Sequence, residues 1–89
     1  MIIEFEEMIL AKIDARIDNA SEDELFAGGY LRGHVSLAAA DCEEEGIQDV
    51  TVLKQRIEES INLARSELSP ADRQLVLSLW QTLSTEAVQ

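Results

Sequence analysis

The sequence predicts an all-α fold, an up-and-down bundle of four main helices. Apolar residues recur at intervals of three and four in four separate stretches, and no run alternates with period two over a useful length. Short turns carrying capping signals join the stretches. Eighty-nine residues, 46% of them hydrophobic, suffice for one domain over residues 1–89 with a single core. Aromatic side chains are limited to Phe5, Phe26, Tyr30 and Trp80, so that core is mainly aliphatic.

The first helix is expected over residues 2–19. Ile2, Ile3, Phe5, Ile9, Leu10, Ile13 and Ile17 share one arc, while Glu4, Glu7, Asp14 and Asp18 lie on the other. Asn19, Ala20 and Ser21 make the turn that follows. Ser21 with Glu24 three residues later is a capping-box pattern, and Glu22 and Asp23 sit where the positive end of a helix favours carboxylates.

A second helix therefore starts near Glu22. At about 100° per residue, Tyr30, Leu31, His34, Val35, Leu37, Ala38 and Cys42 fall on one broad arc, whereas Leu25 projects to the far side beside Arg32 and Ser36. One straight helix cannot bury both sets. The expectation is a short helix over 22–27, a break or kink near Gly28 and Gly29, and a longer helix over 30–45. Gly29, Gly33 and Ala40 form an edge without bulky side chains, where a neighbouring helix is expected to come close and where Gly33→Leu would overpack.

Gly46 suits a left-handed cap at the end of that helix. The third helix is expected from an Asp49 N-cap to residue 67, with Val50, Leu53, Ile57, Ile61, Ala64 and Leu68 as its packing seam. Val52 and Leu63 point away from the seam, either into solvent or toward a second copy in a homodimer. Ser69, Pro70, Ala71 and Asp72 open the fourth helix, Ser as N-cap and Pro at the first helical position. It carries Leu75, Val76, Leu79, Trp80 and Leu83 on one face to about residue 85, with Leu77 opposite and a fraying tail over 86–89.

Eighteen acidic against 7 basic side chains give a formal net charge of −11. That balance excludes nucleic acid and anionic membranes as direct partners, since binding phosphate needs clustered Lys and Arg. It fits a basic protein partner, a cation, or simply good solubility, the commonest explanation. One cysteine makes no internal disulfide, and the acidic N-terminus lacks the pattern of a signal peptide, so the expected location is the cytoplasm.

Chemistry is thinly supported. Cys42 and His34, eight apart on one helix, are separated by about 12 Å along its axis, too far for a nucleophile and its base. A bundle-type di-metal site needs Glu three residues before His, and that position is Leu31. One His and one Cys are too few for zinc, and neither a calcium-loop nor a phosphate-loop pattern is present. No catalytic residue and no cofactor is expected.

The candidate surface has two parts. Tyr30, Arg32 and His34 gather beside the glycine edge, where they either face a ligand or partner, or His34 is simply a half-buried histidine hydrogen-bonded to a neighbour or a carbonyl. Glu43, Glu44 and Glu45 run against the helix dipole, at a cost of some tenths of a kcal/mol each, so with Asp41 they are either a binding surface or a solvated helix end.

The stretch SEDELFAGGYLRGHVSLAAADCE, with ELSPADRQLV opening the last helix and MIIEFEEMILAKID at the start, resembles the bacterial YfcL family. Its most specific part is ELFAGGYLRGH, and the match is weakest over residues 43–53. The resemblance implies a small, mostly helical, soluble bacterial protein and carries over no reaction, cofactor or catalytic residue. The resulting expectation is a small acidic interaction module, an adaptor or regulator. The alternative is a binder of a small ligand or a weakly held cation through Tyr30, Arg32 and His34.

Overall fold

In a computed structural model describing residues 1–87, the chain forms α1 (Ile2–Ala15), α2 (Glu22–Glu44), α3 (Val50–Leu63) and α4 (Pro70–Ala87). Single 3-10 turns follow α1 at Ile17–Asn19 and α3 at Arg65–Glu67. No strand occurs among the described residues. The fold is all-α, and α2 packs against each of the other three helices.

Every helix buries a sector spaced by three and four. Ile2, Phe5, Ile9 and Ile13 come from α1, Leu53, Ile57 and Ile61 from α3, and Val76, Trp80 and Leu83 from α4. Ile3 and Ile17, expected on the buried arc of α1, are 49% and 50% exposed. Ile17 lies in the 3-10 turn, where three residues make a turn and the α-helical phase no longer applies.

α2 is an uninterrupted α-helix through Gly28 and Gly29, so the expected break is absent. Leu25 lies, as expected, on the side away from the buried residues, and the helix is not divided to bury it. Leu25 and Phe26 are left partly in water, at 45% and 41% exposure. Half-exposing a leucine forfeits part of about 1.5–3 kcal/mol. Breaking the helix would leave backbone groups unpaired at about 1–3 kcal/mol each where they are buried, so continuity wins.

The residues that α2 buries are mostly small: Ala27, Gly28, Ala38, Ala39 and Cys42 beside Leu31 and Val35. That slim sector lets three helices close around it. The tight approach is at Gly28, where an added Cβ would lie 3.2 Å from Cγ2 of Ile13. Gly29 and Gly33 face open space, so the expected close-contact edge is off by one position, a rotation of about 100° around the helix. Leu37, expected on the buried arc, is exposed, since it lies about 100° round the helix from Ala38, at the margin of the sector that Leu31, Val35, Ala38 and Cys42 bury.

The caps match the local signals. The Ser21 hydroxyl accepts from the Glu24 amide at 3.2 Å while the Glu24 carboxylate accepts from the Ser21 amide at 3.1 Å. At the other end, Gly46 adopts φ +74, its amide donating to Glu43 and that of Ile47 to Cys42, a complete Schellman motif. Asp49 caps α3 by accepting from the Thr51 amide, and Ser69 caps α4 by accepting from the Asp72 amide. α4 continues to Ala87, past the expected end, and residues 88 and 89 of the tail expected to fray lie outside the described residues. Leu77, expected on the outer face of α4, is half-buried against the core, because α4 contacts both α1 and α2 and so buries a wider sector.

Candidate functional site

Residues one turn apart on α2 build a ladder of rings. Phe26 and Tyr30 have centroids 6.0 Å apart, and Tyr30 and His34 have centroids 4.6 Å apart with a 44° tilt. The end of α3 and the 3-10 turn after it face this ladder. His34 Nδ1 and Ser60 Oγ form a hydrogen bond at 2.5 Å, and the Tyr30 hydroxyl donates to Glu67 at 3.3 Å. Burial pushes the His34 imidazole below its ordinary pKa, partly opposed by the Glu67 carboxylate. Burial first, then Glu67, pushes the Tyr30 phenol up.

Alongside the ladder runs a groove of about 670 Å³ between α2 and α3, lined by His34, Leu37, Asp41, Glu59, Leu63 and Glu67 among others. Leu37 and Leu63 are 59% and 78% exposed there, one on each helix. Arg56 also lines the groove, but its guanidinium is held in a two-pronged contact by Glu45, at 2.8 Å for Nη2 to Oε1. That pairing holds the Glu45 carboxyl below its usual range.

Arg32 does not join Tyr30 and His34. Two residues along a helix, it points to the α1 side, where Nε and Nη2 donate to the Asp14 carboxylate at 3.2 and 3.1 Å. The expected grouping of Tyr30, Arg32 and His34 in one site is therefore divided between two flanks of α2. The acid run divides as well: Asp41 lines the groove, Glu45 clasps Arg56, and Glu43 and Glu44 are exposed.

Cys42 is fully buried, and burial raises its thiol pKa, while His34 bonds Ser60 on another helix. Among the described residues, no group of three His, Cys, Asp or Glu side chains is placed to hold a metal ion. No helix there is long and apolar enough to cross a membrane. Ser60, Glu59 and Glu67 carry no sequence signal, because only the packing of α3 and of the 3-10 turn after it against α2 brings them to the groove. Leu63 did carry a signal, since it lies off the packing seam of its helix.

The family model described as YfcL protein matches residues 3–85. A curated relative from Escherichia coli (strain K12), named "Uncharacterized protein YfcL", is 48% identical over 93 aligned residues, covering 100% of this chain and 99% of the relative. No solved structure matches. Near-complete coverage, at an identity that extends well beyond the ELFAGGYLRGH stretch, shows that the chain belongs to the YfcL family.

Proposed function

We propose that this protein is a small acidic interaction module that docks a basic segment of another protein in the groove between α2 and α3. The observation that carries this reading is the pair Leu37 and Leu63, exposed on facing helices and flanked by Asp41, Glu59 and Glu67. The nearby guanidinium of Arg56 is already engaged by Glu45, and the groove sets the carboxylates of Asp41, Glu59 and Glu67 beside apolar side chains. An amphipathic segment carrying Lys or Arg next to aliphatic residues matches both features. The charge excess of the whole chain, −11, steers such a partner inward over a range that salt shortens.

The test compares the wild type with a Leu37→Ser, Leu63→Ser double variant, each immobilised and exposed to cell lysate at low and high ionic strength. Proteins rich in Lys and Arg are expected to be retained at low salt by the wild type only. Identical retention by both, or retention unaffected by salt, contradicts the reading.

A further inference from the structure

We propose that the cleft enclosed by α1, α2 and α4 is a separate binding site for a small, neutral, apolar molecule. The cleft lies on the flank of α2 away from His34 and measures about 380 Å³, toward the low end of the ~300–1,000 Å³ typical of small-molecule sites. Ile13, Leu75 and Leu79 supply apolar lining, and α2 contributes nearly bare backbone at Gly28 and Gly29. A Cβ on Gly29 would meet nothing within 4 Å, so the wall of the cleft is recessed there. At its rim, Ile17 and Leu25 stay 50% and 45% exposed, apolar surface that an occupant would cover.

The charges decide the class of occupant. Asp14, Glu24, Arg16 and Arg32 surround the cleft and sum to zero, in a chain whose net charge is −11. Asp14 and Arg32 hold each other, Glu24 is taken up by the capping box, and Arg16 is also engaged. A charged ligand would compete with these contacts, whereas a neutral one leaves all of them in place. The rim offers far too little apolar surface for a stable protein interface, which buries roughly 1,200–2,000 Å².

The experiment uses the full chain and N-phenyl-1-naphthylamine, a neutral dye that brightens in apolar surroundings. Saturable one-to-one binding is expected. Gly29→Met adds a side chain at the recess, where a Cβ meets nothing within 4 Å, and Gly33→Met adds one at an equally open position outside the cleft. Affinity should fall by about tenfold or more in the first variant and stay within about twofold in the second. The anionic relative 8-anilino-1-naphthalenesulfonate should bind about tenfold more weakly than the neutral dye.

A signal that never saturates, or equal affinity in Gly29→Met and wild type, overturns the site. Equal binding of the anionic dye overturns its assignment to neutral molecules. Should Gly29→Met lose its helical circular dichroism, dye-induced shifts of wild-type amide resonances decide. Shifts centred on Gly28, Gly29 and Ser78 support the site, and shifts centred elsewhere refute it.

Discussion

Gly28 of α2 and Ile13 of α1 meet so closely that a Cβ on the glycine would sit 3.2 Å from the isoleucine Cγ2. This contact fixes how near the first helix lies to the central one. It also separates Gly28 from Gly29 and Gly33, which have room to spare.

Gly28→Leu is therefore expected to destabilise by about 1–3 kcal/mol through overpacking. Gly33→Ala should stabilise by about 0.5–1 kcal/mol, because it removes a flexible residue from a helix interior where nothing obstructs a methyl group. Urea denaturation followed by circular dichroism measures both. A loss of stability in Gly33→Ala would mean that this face of α2 is covered.

The capping box at Ser21 is expected to matter more than its exposed position suggests. Ser21→Ala removes the acceptor for the Glu24 amide, at a cost of about 1 kcal/mol, and Ser21→Asp should restore most of it. Thermal melts of the three proteins provide the comparison, and an unchanged Ser21→Ala midpoint would contradict the cap.

Trp80 is the sole tryptophan, 1% exposed, and its indole N–H donates to Glu58 at 3.0 Å. Its emission should be blue-shifted and resist quenching by acrylamide until the protein unfolds. Trp80→Ala should cost about 3–5 kcal/mol, a large part of the total for a domain of this size. A native emission maximum typical of indole in water would place α4 wrongly.

His34 makes the protein sensitive to mild acid. Its folded pKa is lowered, chiefly by burial, so the unfolded chain binds a proton more readily than the folded one. Stability should then rise with pH between the lowered value and about 6.5, the unfolded value, and fall as pH drops below about 6.5. Asp14, Glu24 and Glu45 have lowered carboxyl pKa values and contribute the same sign at more acid pH, so the comparison belongs between about pH 7.5 and 5.5. Urea midpoints of wild type and His34→Asn check it. The wild type should lose more stability over that interval than the variant, and parallel curves would assign the effect elsewhere.

Much of the fold is legible in sequence because much of it is local. The Ser21, Asp49 and Ser69 caps and the glycine turn at Gly46 each depend on groups within about five residues of one another, and each forms where its motif stands. The seam Leu53, Ile57 and Ile61 and the stripe Phe5, Ile9 and Ile13 follow from helical spacing alone. The candidate surface is legible only in part: Tyr30 and His34 do lie together, but Arg32 pairs with Asp14 on the other flank of α2, and the contacts with Ser60 and Glu67 have no sequence signal.

Four helices, the caps at Ser21, Asp49 and Ser69, the Gly46 turn and the central seams of α1, α3 and α4 follow from the sequence alone, whereas the ends of α1 and α3, at Ala15 and Leu63 instead of residues 19 and 67, and the exposure of Ile3 and Ile17 do not. Tertiary structure decided that α2 stays whole at Gly28 and Gly29, which glycine touches a neighbour, and which residues of α3 meet His34. The reason is one of range. Caps and periodicity depend on neighbours within a turn or two, whereas the rotation of a helix surrounded by three others reflects the combined packing of all of them. For α2, that packing outweighed the exposure of Leu25, Phe26 and Leu37.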